Sequence, residues 1–333
     1  MKKYDLYAIG NAMVDYHIAV DDKFLFENKV EKGLMNLVEE DRQTELISAV
    51  EGNIEHKQGG GSAANTMVSF SQLGGKGFYS CRVADDDDGK FFIKDLIDNG
   101  LKTNLKSGNL PDGITGKCLV MVSPDAERTM NTFLGITTEF SKTDIVTEEL
   151  KSSEYLYIEG ALIAGSSGRE AMHEAKKIAE TNGVKVSLTL WDPSMVKYFG
   201  EEMRELIGDG VDLLFCNEEE ARLFTKNEDI DQAREELKKY ADRFVITRGK
   251  NGAMIWDGDT FVDIEPYPIQ AVDSTGAGDM FAGAFLYAIS NGHTFASAGK
   301  LASKASSKVV GQYGPRLEYH ELQEIKKEVF DNA

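Results

Sequence analysis

The segment VDSTGAGDMFAGAF, at Val272–Phe285, contains residue types that could bind an anion and accept a proton. The small residues Gly276, Ala277 and Gly278 precede an apolar helical pattern, and Asp279 falls in its first turn. Backbone N–H groups at a helix start are free to bind a phosphate or another anion, and a carboxylate beside them could act as a general base. Helix capping explains the same residues without a ligand, so this segment alone leaves both interpretations open.

A second glycine-rich segment, GGGSAAN at Gly59–Asn65, also leads into a helical pattern. Its G-x-G-x-x-A spacing, with Asp85 downstream, imitates a dinucleotide-binding fingerprint. That fingerprint needs a strand before it, and the preceding NIEHKQ (Asn53–Gln58) is too polar for a central strand. We therefore interpret the segment as a loop whose glycines let the backbone approach a ligand closely. Asn65 would direct its amide at hydroxyl groups of that ligand.

Two acidic segments come directly before helical patterns. DDDD at Asp85–Asp88 complements the positive end of a helix predicted at Phe91–Asn99, which is a simpler explanation than a metal site. NEEE at Asn217–Glu220 follows the apolar pattern VDLLF, so Asn217 is a predicted helix cap. Mg²⁺ prefers carboxylates and keeps several waters, so Glu220 also has the chemistry to organise hydrated magnesium and phosphate.

The composition of the 333-residue chain excludes several classes of function. A net charge of −19 and the absence of a Lys and Arg cluster argue against a nucleic-acid partner. The sequence has no G-x-x-x-x-G-K-[ST] loop, no zinc-ligand spacing and no G-x-S-x-G elbow. It has no membrane-length apolar run and no signal-peptide pattern. Since its three cysteines are far apart, we predict a cytoplasmic protein without a membrane partner.

The C-terminal two thirds of the chain alternate between strand and helix patterns. This alternation predicts βαβ units, a mainly parallel sheet and helices on both faces, with ligands at the carboxyl ends of the strands. The strand patterns are Tyr155–Ile158, Val184–Leu190, Val211–Phe215 and Phe244–Thr247, and the helical patterns are Arg169–Thr181, Glu218–Thr225 and Asp231–Tyr240.

The first third has strand patterns that are not each followed by a helix, with helical patterns at Glu39–Val50 and Ala63–Leu73. We predict one α/β domain over residues 1–333, with a small β-sheet lid formed by insertions at about 12–38 and 108–136. The alternative is that these strands extend the main sheet. The strand patterns are Asp15–Val20, Leu34–Val38, Lys117–Val122 and Arg128–Leu134.

The two glycine motifs, in this order, resemble those of the ribokinase-like (PfkB) family of sugar and nucleoside kinases. The resemblance is carried by GGSAAN at Gly60–Asn65 with the LGG that follows, and by DSTGAGDMFAGAF at Asp273–Phe285. It covers essentially the whole chain. It implies a ribokinase-like α/β fold and ATP-dependent phosphorylation of a hydroxymethyl group, with ATP and Mg²⁺ as cofactors. Supporting segments are Gly10-Asn11 with Asp15, Asn217–Glu220, and Thr247-Arg248-Gly249.

The resemblance also implies a role for each matching residue. Asp279 corresponds to the catalytic base, and Gly276, Ala277 and Gly278 correspond to the anion hole around the transferred phosphoryl group. The other matches are Asn11, Asp15, Gly60, Gly61 and Asn65 for the acceptor, Asn217 and outer-shell Glu220 for magnesium and phosphate, Thr247 and Gly249 for the nucleotide, and Asp273, Gly311 and Gly314 for a monovalent cation such as K⁺.

The identity of the acceptor stays open at this point. Met35, Phe133 and Leu134 on the predicted lid favour a nucleoside if they form an apolar wall, but packing of the lid explains them equally well. Arg128 suits a sugar-acid carboxylate or a phosphate. The pattern favours the adenosine-kinase-like branch. A sugar kinase of the ribokinase, fructokinase or sugar-acid type, and a non-catalytic nucleoside-binding protein, are the alternatives. Edge strands of a lid can pair between chains, so a monomer and a homodimer are both open.

Overall fold

The computed structural model describes residues 2–50, 52, 54–125 and 127–331, and its elements are numbered along the chain. The larger of two sheets in these residues contains β1 (Tyr4–Ile9), β5 (Gly77–Ser80), β6 (Lys102–Thr103), β9 (Ser153–Glu159), β10 (Lys185–Thr189), β11 (Leu213–Asn217), β12 (Phe244–Thr247), β13 (Ala253–Trp256) and β14 (Phe261–Ile264). Their order is β14-β13-β12-β11-β10-β9-β1-β5-β6. The strands pair in parallel from β6 to β12, and only β13 and β14 add antiparallel pairs.

Helices cover both faces of this sheet, as the alternating sequence pattern predicted. Along β1, Leu6 and Ala8 enter one hydrophobic core, while Tyr7 and Ile9 enter the other. None of the helices in the described ranges is long and apolar enough to cross a bilayer. The helices are α1 (Asp22–Glu27), α2 (Glu40–Val50), α3 (Ser62–Gln72), α4 (Asp87–Asp98), α5 (Thr147–Lys151), α6 (Ser166–Thr181), α7 (Pro193–Ile207), α8 (Glu218–Thr225), α9 (Ile230–Leu237), α10 (Ala277–Ser290), α11 (Phe295–Val310) and α12 (Tyr319–Phe330).

The remaining strands form a separate smaller sheet and do not extend the main one. It contains β2 (Met13–Ala19), β3 (Met35–Leu37), β4 (Ile54–Gly60), β7 (Gly116–Val122) and β8 (Arg128–Phe133), in the order β3-β8-β7-β2-β4.

Strand β4 corrects two expectations from the sequence. It lies outside the insertions expected at 12–38 and 108–136, and it supplies the strand before the glycine cluster that the polar segment 53–58 appeared to lack. Asn53 itself lies outside the described residues. The strand is polar because it lies at the edge of the smaller sheet, where its first residues are exposed. It pairs antiparallel with β2 and belongs to no βαβ unit, so the dinucleotide interpretation still fails.

One face of the smaller sheet packs against helices. On that face Ile18, Leu119 and Met121 pack against α1 and α2. The buried Asp88 of α4 contacts Lys57 at 2.5 Å and Lys117 at 3.0 Å, and it also accepts a hydrogen bond from the Tyr16 hydroxyl of β2. The acidic segment 85–88 caps α4 as predicted, through Asp86, but the ion pairs of Asp88 with the smaller sheet were not foreseen.

Helices α3 and α10 approach each other unusually closely at Gly283. A Cβ atom at this position would overlap the Ser69 hydroxyl and the Thr66 carbonyl of α3. Gly283 lies four residues, about one turn, after Asp279, so the two residues are on the same face of α10. The contact therefore sets how near the start of α10 can come to the start of α3.

We predict that Gly283→Ala lowers the free energy of unfolding by about 1–3 kcal/mol, because the added methyl must separate two packed helices. The matched control is Gly200→Ala in α7, where the nearest atom to an added Cβ is 3.6 Å away. Alanine favours a helix over glycine by about 0.8–1 kcal/mol, so this control should be neutral or more stable than wild type. Urea denaturation measures both, and equal stability of the two variants would contradict the packing argument.

Candidate active site

The start of α10 is an N-terminus without a side-chain cap. Gly276, at φ +75°, occupies the position before the helix, and no side chain of the described residues accepts from the first N–H groups. A Cβ at Gly276 would overlap Pro315, whereas one at Gly278 would face open space. Gly278 therefore leaves the backbone exposed to an approaching ligand. The Ala277 N–H donates to the Ser274 carbonyl at 3.2 Å, and the other N–H groups of this turn, together with the helix dipole, favour an anion there.

Asp279 lies in the first turn of α10 and is held by two residues of α3. Its Oδ1 accepts a hydrogen bond from the Ser62 hydroxyl at 2.6 Å, and its Oδ2 accepts one from Asn65 Nδ2 at 3.3 Å. Burial raises the pKa of Asp279 to about 6, against the lowering effect of these donors and of Arg316. The carboxylate is thus oriented and more basic than an exposed aspartate, as a general base should be.

Asp15 on β2 faces the same space but has no partner among the described residues. Its pKa is raised to about 7, chiefly by burial. Arg316 and Arg128 lower this pKa, and Asp279 and Asp95 contribute to raising it. Gly60 is required beside it, because a Cβ there would overlap the Asp15 carboxylate. An unpartnered, half-buried carboxylate has unused acceptor capacity, which ligand hydroxyl groups can fill.

The rest of the glycine cluster also allows close approach. Gly61 has φ +106°, and its missing side chain leaves room for the Asn11 carbonyl oxygen. Gly59 leaves the same kind of room for Asp95 and Arg316. The predicted loop is wrong for Gly59 and Gly60, which end strand β4. The close contacts of these glycines are within the protein, and the approach of a ligand to their backbone stays a prediction.

Glu159 is a site residue that the sequence analysis missed. It lies at the end of β9, is 1% exposed, and accepts hydrogen bonds from the Ala63 backbone N–H at 2.9 Å and from Asn11 Nδ2 at 3.0 Å. The Oδ1 of Asn11 accepts from Thr137 at 3.2 Å, so both ends of this amide have protein partners. Burial raises the pKa of Glu159 to about 7. Its position directly after the apolar run YLYI, at the carboxyl end of a predicted strand, was the signal available.

Asn217 and Glu220 form a reciprocal capping box at the start of α8. Asn217 Oδ1 accepts from the Glu220 N–H at 2.9 Å, and Glu220 Oε2 accepts from the Asn217 N–H at 3.0 Å. Glu220 is only 4% exposed, and burial raises its pKa to about 7. The capping interpretation is confirmed. Both residues also line a cavity with Asp279, so capping does not remove them from the site.

Three cavities lie in a row along the carboxyl edge of the main sheet. The inner cavity (470 Å³) lies under the smaller sheet, the middle cavity (530 Å³) lies over the start of α10, and the outer cavity (480 Å³) contains Thr247 and Gly249. Asp279 lines the inner and middle cavities, and Gly278 lines the middle and outer ones. A larger cavity of 690 Å³ behind Arg316 contains none of the residues predicted to bind acceptor or nucleotide.

The inner cavity combines apolar walls with a surplus of carboxylates. Its acidic residues are Asp15, Glu159 and Asp279, and Arg128 is its one arginine among the described residues. Its other titratable base, His17, has a pKa lowered to about 4, chiefly by burial, and is neutral near pH 7. The apolar wall includes Met13, Met35, Leu37, Val120, Met130, Leu134, Trp191 and Met195. Phe133 lines a separate cavity, so its place in the predicted wall was wrong.

Arg128 is already paired with a residue of the main body. Its guanidinium contacts Asp273, at the start of the loop before α10, and both side chains are nearly buried. Asp273 also accepts from the Thr275 N–H at 3.0 Å and the Gly314 N–H at 3.1 Å. The positive charge of Arg128 is therefore balanced within the protein. The predicted cation residue Gly311 ends α11 near this loop.

The sequence of the chain matches the pfkB family of carbohydrate kinases over residues 34–321. It is similar to the adenosine kinase of Sinorhizobium meliloti, with a TM-score of 0.88 and 34% identity over 98% of this chain and 99% of that one. It is 27% identical to the adenosine kinase of Dictyostelium discoideum, over 94% of this chain and 96% of the relative. It is 26% identical to the 5-dehydro-2-deoxygluconokinase of Geobacillus thermodenitrificans strain NG80-2, over 76% and 79%.

These matches cover most of each chain, and the TM-score of 0.88 shows that the Sinorhizobium meliloti enzyme shares the fold described above. The resemblance first carried by the two glycine motifs is confirmed by the family match. The chain belongs to the pfkB family of carbohydrate kinases and is an ATP-dependent sugar or nucleoside kinase.

Proposed function

We propose that this kinase transfers the terminal phosphoryl group of ATP to the hydroxymethyl group of a nucleoside similar to adenosine. The observation that carries the proposal is the position of Asp279 in the first turn of α10. Its side chain lines both the apolar inner cavity and the middle cavity over the start of this helix. An acceptor hydroxyl in the inner cavity would face this carboxylate, and a phosphoryl group would face the N–H groups.

The catalytic roles follow from the start of α10. Asp279 removes the proton of the acceptor hydroxyl, which contributes about 10²–10⁴-fold in enzymes with a positioned base. The N–H groups of Gly276, Ala277 and Gly278 stabilise the charge on the transferred phosphoryl group. Phosphoryl transfer depends mainly on positioning and charge stabilisation, and one such donor is worth on the order of 3 kcal/mol.

The acceptor is held at the floor of the inner cavity. Asp15 accepts hydrogen bonds from ribose hydroxyls, since its carboxylate lines the cavity and has no hydrogen-bond partner among the described residues. Gly60 leaves room for the Asp15 carboxylate and Gly61 for the Asn11 carbonyl. Asn65 orients Asp279, and Asn11 shapes the wall together with Glu159. A direct contact of the sugar with the backbone of Gly60 and Gly61 is part of the proposal. The smaller sheet acts as a lid over this cavity.

The nucleotide and its magnesium occupy the other two cavities. The described residues contain no cluster of three metal-ligating side chains, which suits Mg²⁺ that arrives with ATP and neutralises its phosphates. Asn217 and Glu220 line the middle cavity and organise water around the ion, and Thr247 and Gly249 contact the nucleotide in the outer cavity. The monovalent cation expected beside Asp273 stays a prediction, which a comparison of KCl with choline chloride tests.

Charge favours a nucleoside over a sugar acid as the acceptor. A sugar acid such as the substrate named for the Geobacillus relative would bring a carboxylate into a cavity with Asp15, Glu159 and Asp279. The one arginine found there is paired with Asp273, and Arg316, which does not line the cavity, is paired with Asp95. No unpaired cation among the described lining residues therefore compensates a further negative charge. Sulfur-rich and aromatic walls, including Met130 and Trp191, suit the faces of a base.

Cellular location and assembly belong to the same proposal. Cys81, Cys118 and Cys216 are buried and unpaired, which supports the reducing cytoplasm. Strand β3 is an edge of the lid sheet, and Met35 and Leu37 on it are more than half exposed. This strand is a place where two chains could pair, and both a monomer and a homodimer are compatible with the site.

The proposal is tested by ADP release from Mg-ATP with adenosine, other nucleosides, ribose, fructose and sugar acids as acceptors. We expect turnover with a purine nucleoside and none with a sugar acid. Activity confined to a sugar or a sugar acid would contradict a nucleoside as the acceptor but would still support kinase activity. Binding of a nucleoside by calorimetry without ADP release would instead support the non-catalytic alternative.

We predict that Asp279→Asn lowers kcat by at least about 100-fold, because the amide cannot accept the proton. Fold and acceptor binding should persist, since an amide can keep the hydrogen bond from Ser62. Steady-state kinetics and calorimetry measure the two effects. A kcat within a few-fold of wild type would remove Asp279 from the role of base.

We predict that Asp15→Asn weakens acceptor binding but stabilises the free protein at pH 8 by about 1–2 kcal/mol. The folded pKa of about 7 exceeds the unfolded value of 3.8, so the wild type loses stability as pH rises between these values. The gain should therefore be absent near pH 4. Urea denaturation at both pH values measures it, with surface Asp209→Asn as the control. A gain independent of pH would contradict the burial argument.

A further inference from the structure

Arg316 follows α11 in the chain and joins three separate elements with one guanidinium group. Its Nε donates to Asn65 Oδ1 of α3 at 2.9 Å, and one terminal nitrogen donates to Asp95 Oδ2 of α4 at 2.7 Å. The other terminal nitrogen donates to the Gly59 carbonyl at the end of β4. The side chain is only 6% exposed. All three sides of the planar fork are therefore used, which a lysine cannot reproduce.

The contact with Asn65 determines which way its amide points. Arg316 carries only donors, so the atom of Asn65 that faces it must be the oxygen. The Nδ2 group is then directed to the opposite side, where it donates to Asp279 Oδ2 at 3.3 Å. A free asparagine could present either its oxygen or its nitrogen to Asp279, and the oxygen would repel a carboxylate.

We propose that Arg316 is a positioning residue for the phosphoryl-transfer reaction. It fixes the Asn65 amide so that Asn65 orients Asp279, and its charge keeps Asp279 ionised at a lower pH than burial alone allows. This inference rests on the proposed role of Asp279 as the base. Asp95 holds the guanidinium in place from the side away from Asn65.

The charge surroundings of Asp279 support a role for a single cation. Arg316 lowers the pKa of both Asp279 and Asp15, against the raising effect of burial. Arg128 also lowers the pKa of Asp15. Both arginines have an ion-pair partner, Asp273 for Arg128 and Asp95 for Arg316. The titratable or polar groups that face Asp279 are Ser62 and Asn65 of α3, Asp15 of β2, Tyr79 of β5, Tyr157 and Glu159 of β9, and Arg316.

The test is a ¹³C NMR titration of aspartate carboxyl carbons in the substrate-free protein, with the Asp279 signal assigned by its loss in Asp279→Asn. In Arg316→Gln we expect the midpoint of Asp279 to move upward from about 6, because a lowering charge is lost. In Arg316→Lys we expect it to stay near the wild-type value. The control is Arg82→Gln, which removes a partly buried arginine paired with Asp144 at 3.1 Å and lining none of the three cavities.

Kinetics separate the position of Asp279 from its charge. Both Arg316 variants should lower kcat on the order of 10- to 100-fold, because a misplaced catalytic group lowers the rate by this much. The acid limb of the pH profile of kcat should move to higher pH only in Arg316→Gln.

If Arg316→Gln does not fold, the kinetics of Arg316→Lys test the inference. A wild-type kcat in Arg316→Lys would overturn the positioning role. An unmoved midpoint in folded Arg316→Gln, or an equal shift in Arg82→Gln, would overturn the inference as well. If the wild type is inactive on every acceptor, the proposed function fails, yet the titration still decides what Arg316 does to Asp279.

Discussion

The close packing of α3 against α10 is the constraint on which the site depends. Both helices begin at the carboxyl edge of the main sheet, and at Gly283 only a hydrogen atom fits between them. This contact brings the first turn of α10 within hydrogen-bond distance of Ser62 and Asn65. A wider separation would leave Asp279 without donors and open the junction between the inner and middle cavities. The position of one carboxylate thus depends on a backbone contact one helical turn away.

Three consecutive residues after α11 complete this arrangement. The Gly314 N–H binds Asp273, Pro315 packs against Gly276, and Arg316 binds Asn65. Each contact fixes a different part of the loop and helix start that would surround a phosphoryl group. The C-terminal segment is therefore part of the site, although it contributes few atoms to its surface.

The site gathers carboxylates that burial makes difficult to ionise. Asp15, Glu159, Glu220 and Asp279 all have raised pKa values, with burial as the largest cause. Two of them, Glu159 and Glu220, are compensated by N–H groups at helix starts. Asp15 accepts no such hydrogen bond within the described part of the chain, so its burial lowers the stability of the free protein and its oxygens can accept hydrogen bonds from a ligand. Such a loss of folding stability is expected at a residue that is retained for function and not for stability.

The sequence predicted the features that short motifs encode. The α/β alternation and the cap at Asn217 each depend on a few neighbouring residues, and the structure contains both. The sequence did not predict contacts between residues that are far apart along the chain. Arg316 and Asn65 are 251 positions apart, and no local pattern marks such a pair. Strand β4 was missed because polar residues at a sheet edge do not show the alternation of a half-buried strand.

The most direct test of the account is a crystal structure with adenosine and a non-hydrolysable Mg-ATP analogue. We expect the base against the apolar wall of the inner cavity and the hydroxymethyl oxygen within about 3.2 Å of an Asp279 carboxylate oxygen. The terminal phosphate should face the N–H groups of Gly276 to Gly278. A nucleoside bound elsewhere, or a hydroxymethyl oxygen turned away from Asp279 while the phosphates occupy the middle cavity, would contradict the account.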